Sequence, residues 1–168
     1  MAKSLRLLLF SECDRRCKGC CNKDWNLDAL PVCTSFTGYD LIMLTGGEPM
    51  LKPKLIKSTA KAIRAQTNAP IIVYTAKTSK PDGFIDVLRN VDGVTLTLHT
   101  QGDVAGFYRL NEKLLTARLE PKSLRLNVFK GIKVDVPIYW QVKNNIEWIA
   151  NCPLPSNEVF MRLAADHL

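Results

Sequence analysis

The most reactive stretch of the sequence is CDRRCKGCCN, residues 13–22, which places four cysteines within nine positions. Clustered thiols can form disulfides, bind zinc, carry out thiol redox chemistry or hold an iron–sulfur cluster. Cys13, Cys17 and Cys20 are separated by three and then by two residues. This spacing lets one irregular loop wrap three thiolates around a compact inorganic centre, and it is the first indication of a metal site.

The cellular compartment and the number of thiols that each chemistry uses distinguish these possibilities. The start, MAKSLRLLLF, lacks the small-residue cleavage site of an export signal, so we expect a reducing cytoplasmic location in which disulfides are disfavoured. A redox pair of Cys17 and Cys20 would leave Cys13 unexplained. Zinc normally takes four ligands, and Cys21 or Cys33 could supply the fourth. An iron–sulfur cubane held by three cysteines would leave one iron open to another ligand.

Short apolar runs alternate along the chain with longer amphipathic segments, which predicts an α/β fold with a mostly parallel sheet. We expect this to be a single domain over residues 1–168, either an open doubly wound sheet or a partial (β/α)6 barrel. The predicted strands are residues 5–10, 39–45, 70–75, 93–100, 123–129 and 136–142. The predicted helices are residues 52–66, 83–91, 103–119 and a terminal helix within 157–168, with Asp103 capping the third and Ser156 or Asn157 the last.

Functional residues of parallel sheets lie where the strands end. The cysteine loop follows the first predicted strand, and Gly46, Gly47 and Glu48 follow the second. Thr75 ends the third strand and His99 the fourth. The sequence therefore predicts that these groups meet at one edge of the sheet.

The two motifs together resemble a known family. CDRRCKGC matches the C-x3-C-x2-C pattern of the radical S-adenosylmethionine superfamily, and LTGGEP, residues 44–49, is similar to that family's second motif. The resemblance extends from the first strand to about residue 143 and implies the partial barrel of the radical S-adenosylmethionine type. Each motif follows a predicted strand, as the family pattern requires.

The resemblance implies a cofactor set and a reaction. Cys13, Cys17 and Cys20 would hold a 4Fe–4S cluster, and S-adenosylmethionine would chelate the fourth iron. Reductive cleavage would then yield methionine and a 5′-deoxyadenosyl radical that abstracts hydrogen from substrate. Gly46, Gly47 and Glu48 would position the cofactor, and an electron donor such as a flavodoxin or ferredoxin would be the redox partner.

The substrate has two expected forms. CKGCCNKDW resembles the cluster loop of activating enzymes for anaerobic ribonucleotide reductase, which implies a large glycyl-radical protein as substrate. This sequence departs from those activases at Cys21, where an aromatic residue is usual, and at Glu48, where Asp is frequent. The net charge of +7 suits a nucleotide or base equally well. In a different class, a zinc-stabilised module would use the same charge to bind nucleic acid.

Several other residues receive narrower predictions. Thr75, His99 and Arg125 are candidate contacts to cofactor or substrate, with Arg125 and Asn127 alternating against an apolar face of the fifth strand. We expect Cys21 to be a shielded neighbour of the cluster. Cys33 and Cys152 are expected to be buried small hydrophobic residues. No apolar run has the roughly 20 residues that a membrane span requires, so no membrane partner is expected.

Overall fold

The computed structural model describes residues 2–165 and arranges them around one parallel sheet. Its eight strands lie in the order β2-β8-β1-β3-β4-β5-β6-β7, and all neighbouring pairs are parallel. The strands are β1 (Ser4–Leu8), β2 (Val32–Cys33), β3 (Leu41–Thr45), β4 (Ile71–Thr75), β5 (Gly93–Leu98), β6 (Ser123–Phe129), β7 (Gln141–Ile146) and β8 (Glu158–Leu163). The predicted α/β class with a parallel sheet is confirmed. The sheet is open, with β2 and β7 at its edges.

The helices connect successive strands in the middle of the sheet. They are α1 (Pro53–Arg64), α2 (Pro81–Leu88) and α3 (Asp103–Thr116). Pro53 and Pro81 each occupy the first helical position, where the missing N–H costs no intrahelical hydrogen bond. From β3 to β6 each strand lies beside the next one in sequence, so the right-handed crossovers carry all three helices to the same face of the sheet.

One hydrophobic core joins that face of the sheet to the helices. The strands contribute alternate residues, as a period of two requires, so Leu5 and Leu7 point into this core while Arg6 does not. The helices contribute residues at a spacing of three to four, such as Ile56, Ala60 and Ile63 of α1. All of these side chains except partly exposed Arg6 are nearly inaccessible to solvent. The core therefore occupies one side of the sheet and leaves the other side for binding groups.

The helix-free face is covered in part by the segment that leads from β1 to β2. Leu30 of this segment packs with Leu8 and Phe160 in a second, smaller hydrophobic cluster, and Trp25 lies against it. The Trp25 and Phe160 rings meet edge to face with centroids 5.4 Å apart. This cover leaves a pocket between the segment and strands β1, β3 and β4.

Two predicted elements at the carboxyl end of the chain are wrong. The predicted strand 136–142 is mostly irregular, and β7 begins only at Gln141. Trp140 of the predicted strand packs against helix α3 instead. Its buried ring contacts Phe107, and its Nε1 donates a hydrogen bond to Asn111 Oδ1 over 2.8 Å. β7 itself is an exposed edge strand and has no apolar pattern by which a sequence could reveal it.

The predicted terminal helix within 157–168 is also wrong where the structure describes it, since β8 occupies Glu158–Leu163. Both faces of β8 are covered, with Phe160 in the smaller cluster and Leu163 in the main core. The strand is fixed by parallel pairing with β1, more than 150 residues earlier in the chain. Ser156 and Asn157 therefore cap no helix, and residues 166–168 lie outside the described part.

Candidate functional site

The cysteine loop, residues 9–20, leaves the sheet at the carboxyl end of β1. It has no regular secondary structure before a short helical turn at Cys21–Lys23. Cys13 is exposed, whereas Cys17 and Cys20 are half-buried. β1 is also the strand at which the sheet order reverses, because β3 lies on one side of it and β8 on the other. Such reversal points are where open parallel sheets bind ligands.

Burial and neighbouring groups act on the first thiol of this loop. Partial desolvation raises the pKa of Cys13, and the nearby Glu48, Cys17 and Cys20 raise it further, against a lowering hydrogen bond from the Arg15 backbone N–H. Three thiols on one irregular loop are a donor set that suits an iron–sulfur cluster or zinc. Within residues 2–165, however, no three Cys, His, Asp or Glu side chains are gathered closely enough to form a metal site. The donors fit in kind and location, but they are not preassembled.

The glycine–glutamate segment after β3 is bonded directly to the cysteine loop. Gly47 donates its N–H to the Phe10 carbonyl over 2.8 Å, and Glu48 donates to the Glu12 carbonyl over 2.9 Å. The Asn22 side-chain amide donates to the Gly46 carbonyl over 2.8 Å. The two sequence motifs are therefore neighbours in space, held together on both flanks of the cysteines.

This close approach explains the glycine at position 47. A Cβ atom there would overlap the carbonyl group of Glu12 and the carbonyl oxygen of Ser11. Because the obstacle is backbone, a side-chain rotation cannot relieve it. The glycine is thus required by packing between the two loops, independently of any ligand.

Glu48 is buried, with 2% of its surface exposed, and its carboxylate joins two loops. Its Oε1 accepts from the Met50 N–H over 2.9 Å and from the Thr75 hydroxyl over 2.5 Å, while Oε2 accepts from the Ala76 N–H over 3.0 Å. The Thr75 hydroxyl also accepts from the Lys77 N–H over 3.0 Å. Both predicted cofactor contacts, Glu48 and Thr75, therefore bond to each other and to the backbone that shapes the edge of the sheet.

Glu48→Gln is expected to destabilise the protein by about 1–3 kcal/mol, because the new amide would face a buried backbone N–H and leave it without an acceptor. Urea denaturation of the purified variant measures the loss. Glu147→Gln is the matched control, since Glu147 is exposed and pairs with exposed Lys130. That control should stay within about 0.5 kcal/mol of the wild type. Equal stability of Glu48→Gln and the wild type would contradict the buried role of Glu48.

An ion pair holds the cysteine loop against the start of α3. The Arg15 guanidinium donates to both oxygens of Asp103 at 3.0 Å and to the Ala76 carbonyl at 3.0 Å. Burial raises the pKa of Asp103, but the Thr100 N–H, the Arg15 charge and the His99 N–H outweigh it, and the net pKa is lowered. Asp103 is not the predicted helix cap, because it is the first residue of α3 and its carboxylate bonds backwards to the turn after β5.

A second ion pair lies beside the first. Asp14 of the cysteine loop bonds the Lys77 ammonium group, and this hydrogen bond is the main cause of the lowered pKa of Asp14. Asp14 and Arg15 both lie between Cys13 and Cys17 in the sequence. The residues between the first two cysteines therefore hold the loop in place over the ends of β4 and β5.

His99, which follows β5 directly, lies under an aromatic side chain from beyond β7. Trp148 stacks on its ring with centroids 5.1 Å apart and planes 8° apart, and Phe129 contacts both rings. Burial lowers the pKa of His99, and the positive charge of Arg15 lowers it further. A Cβ on Gly19 would lie 2.5 Å from Trp148 Cγ, so the tryptophan also rests on the cysteine loop.

Protein stability is expected to fall as the pH drops below 6.5, the ordinary pKa of histidine. The folded-state pKa of His99 is lowered, so the unfolded chain binds a proton at a pH where the folded protein does not. Urea denaturation between pH 5 and 7.5 should show a steeper decline for the wild type than for His99→Gln. His167 lies outside the described residues and is common to both proteins. Parallel profiles would contradict the burial of a neutral His99.

Arg125 lies farther from the cysteine loop than the other predicted residues. It is exposed on the helix-free face of β6, opposite Thr95 of β5 and Gln141 of β7. Phe129 ends β6 four residues later, so Arg125 lies about 13 Å back along the strand. The predicted alternation with buried Leu126 and Val128 is confirmed. The structure brings the cysteines, Gly46–Glu48, Thr75 and His99 to one edge, with Arg125 set apart.

The three remaining cysteines are Cys33, which lies where the sequence predicts, and Cys21 and Cys152, which do not. Cys33 is 2% exposed and belongs to the main core, which confirms a buried hydrophobic role. Cys21 and Cys152 instead form a disulfide across 131 residues, although disulfides were expected to be disfavoured. The chain between β7 and β8 passes beside the cysteine loop, and Trp25 Nε1 donates to the Cys152 carbonyl over 3.2 Å. Cys21, expected as a shielded neighbour of the cluster, is thus a disulfide partner, and Cys152, expected as a buried small hydrophobic residue, is disulfide-bonded and only half-buried.

Sequence reasoning missed Asn22, Arg15, Asp103 and Trp148 as residues that build this site. Asn22 had the best sequence signal, because an amide directly after clustered cysteines can bond the exposed backbone of a neighbouring loop. The other three act through distant partners, such as Arg15 with Asp103, 88 positions away, and Trp148 with His99, 49 positions away. No local pattern could have identified those pairs.

No family model, no curated protein and no solved structure matches this chain. The functional argument therefore rests on the arrangement of the two motifs and their chemistry. In residues 2–165 no helix is long and apolar enough to cross a membrane.

Proposed function

We propose that this protein is a radical S-adenosylmethionine enzyme. The observation that carries the proposal is the direct bonding between the cysteine loop and the glycine–glutamate segment, through Gly47 to Phe10, Glu48 to Glu12 and Asn22 to Gly46. The two motifs lie 24 residues apart in sequence between Asn22 and Gly46, yet they form one edge of one site. Loops that follow neighbouring parallel strands always lie close together, so it is the three specific hydrogen bonds between these motifs, and not their proximity alone, that support the proposal.

Cys13, Cys17 and Cys20 would hold the 4Fe–4S cluster. When bound, the cluster and S-adenosylmethionine supply reductive cleavage of a sulfonium carbon–sulfur bond and hydrogen abstraction from substrate. The ion pairs of Asp14 and Arg15 keep the loop over the sheet edge, where the three thiols would come together around the metal. The glycine backbone of the second motif is bonded to the loop at the same edge, through the Gly47 N–H and the Gly46 carbonyl.

His99 and Trp148 would supply the wall of the cofactor site. The stacked rings lie against the cysteine loop at Gly19. The lowered pKa keeps His99 neutral near pH 7, so its ring can accept or donate a hydrogen bond without adding charge. The Nδ1 atom is buried and has no hydrogen-bond partner among residues 2–165, which leaves it available to a ligand.

The strand order supports the finer proposal of a partial (β/α)6 barrel of the radical S-adenosylmethionine type. Strands β1 and β3–β7 lie side by side in chain order, and the helices between them share one face. A doubly wound sheet would place helices on both faces. The helix-free face carries polar residues such as Arg6 and Asn127, as the interior of a ligand-binding barrel would.

Anaerobic reconstitution with iron and sulfide tests the proposal. We expect a brown protein with about four iron atoms per chain that forms 5′-deoxyadenosine from S-adenosylmethionine and a strong reductant. Absence of that product from protein with a loaded cluster would overturn the enzyme assignment. Zinc at one per chain without visible absorbance would favour the nucleic-acid-binding module instead.

The two expected substrates make different demands on the helix-free face. A glycyl-radical protein such as anaerobic ribonucleotide reductase would insert a backbone segment, whereas a nucleotide or base needs a pocket for a flat ring. A flavodoxin or ferredoxin as electron donor is compatible with either. The pocket beside the cysteine loop favours the nucleotide or base over the protein segment.

A further inference from the structure

A pocket of about 200 Å³ opens on the helix-free face next to the cysteine loop. Its walls come from β1, β3, β4 and β8 and from the segment after the cysteines. The lining residues that matter here are Arg6, Asn22, Trp25, Thr45, Tyr74 and Phe160. The volume is below the roughly 300–1,000 Å³ of sites for drug-sized molecules, so the pocket suits one small ring system.

Three aromatic side chains line the pocket. Trp25 and Phe160 stand edge to face, and Tyr74 projects from β4 into the same space. Flat faces of this kind bind planar rings by stacking, which contributes about 1–3 kcal/mol for a nucleobase. The pocket therefore favours a planar guest over an extended aliphatic one.

The polar groups of the pocket are placed to meet the edge of such a ring. The Tyr74 and Thr45 hydroxyl groups line the pocket, and neither has a hydrogen-bond partner among residues 2–165. Asn22 contributes an amide whose nitrogen already bonds Gly46, which leaves its oxygen as an acceptor. Donors and acceptors around an aromatic slot match a nitrogen heterocycle better than a hydrocarbon ring.

The charge of the pocket is balanced. Arg6 pairs with Glu158 at 2.6 Å, and its guanidinium lies 5.6 Å from the centre of the Phe160 ring. An anionic group would have to compete with Glu158 for this arginine. The interior of the pocket therefore suits a neutral ring, with any charged substituent outside it.

We propose that this pocket binds a neutral nitrogen heterocycle of nucleobase size. Its identification as the substrate site rests on the proposed function, because a position next to the cysteine loop indicates a substrate site only if that loop holds the reactive cluster. The binding itself does not depend on the cluster. The pocket is also separate from the wall formed by His99 and Trp148, whose strands lie on the other side of β4.

Equilibrium dialysis of the full chain with adenosine, guanosine, cytidine and uridine tests the binding, before and after reconstitution. We expect saturable binding of one or more of these nucleosides. Tyr74→Phe and Thr45→Val should each weaken it about three- to tenfold, the value of one hydrogen bond. Trp25→Ala should weaken it more than about tenfold through lost stacking. Tyr108→Phe, on an exposed position of α3, is the control and should bind like the wild type.

Three outcomes would overturn the assignment. They are no saturable binding by any nucleoside, equal binding of indole and nucleosides, and complete displacement of the nucleoside by S-adenosylmethionine, which would give the pocket to the cofactor. Circular dichroism of each variant separates a lost contact from a lost fold. If no nucleoside binds but 5′-deoxyadenosine is still formed, the proposed function stands and only the pocket assignment is wrong. If nucleosides bind but 5′-deoxyadenosine is not formed, only the enzyme assignment is wrong.

Discussion

Gly47→Ala is expected to destabilise the protein by about 3 kcal/mol or more and to displace the cysteine loop. The added methyl group would occupy the space of the Glu12 carbonyl, so one of the two loops must move. That movement would break the hydrogen bonds from Gly47 to Phe10 and from Glu48 to Glu12. Urea denaturation measures the stability, and iron content after reconstitution measures whether the displaced cysteine loop still binds the cluster.

Gly83→Ala is the matched control for this prediction. Gly83 lies in the first turn of α2, and the nearest atom to an added Cβ would be Lys80 Cβ at 4.0 Å. Alanine there should stabilise the protein by about 0.4–1 kcal/mol, since the unfolded chain loses more freedom than the helix does. A Gly47→Ala protein as stable as the wild type, with normal iron uptake, would show that the two loops are not packed as described.

Cys13→Ala, Cys17→Ala and Cys20→Ala are each expected to lower the iron and sulfide bound after reconstitution more than about tenfold. Loss of a group that only supports a ligand lowers metal affinity about 10–100-fold, so loss of a direct ligand should have at least that effect. The carboxylates nearest to the loop are already bonded elsewhere, Glu48 to Thr75 and to backbone N–H groups, Asp14 to Lys77 and Glu12 to Lys52. Iron and sulfide analysis and the visible spectrum give the result.

Cys21→Ala and Cys152→Ala provide the controls. Cys21 is adjacent to Cys20, but the structure pairs it with Cys152 in a disulfide rather than with the other loop thiols. Both variants should retain the cluster, with a loss of stability of about 2–5 kcal/mol from the broken cross-link. Loss of iron from Cys21→Ala equal to that from Cys20→Ala would contradict the three-cysteine set.

The central part of the fold could be predicted closely from the sequence. The strand at residues 123–129 was predicted with the observed bounds, and the helix opened by Pro53 begins at that residue. In both cases an apolar face repeats at the period of the element, and that face is buried against the shared core. Local pattern and tertiary burial agree there, so the pattern suffices.

The carboxyl-terminal part could not be predicted because its secondary structure depends on pairing with strands that are distant in the sequence. β8 was predicted as a helix, since both of its faces are covered and its apolar residues do not alternate with polar ones. β7 was misplaced, since an exposed edge strand buries little and carries almost no signal. Each strand depends on pairing with a neighbour, β1 or β6, rather than on its own residues.

The sequence by itself determined the chemistry available to this protein: three thiols at a spacing suited to one inorganic centre, a flexible glycine pair, and a parallel sheet whose strand ends carry them. These follow from residue type and short-range periodicity, which require no knowledge of distant contacts. Only the tertiary structure decided that Glu48 and Thr75 bond each other, that Arg15 anchors the loop on Asp103, and that an aromatic pocket opens beside it. Those features depend on parallel strands bringing remote segments together, and local sequence does not encode which segments meet.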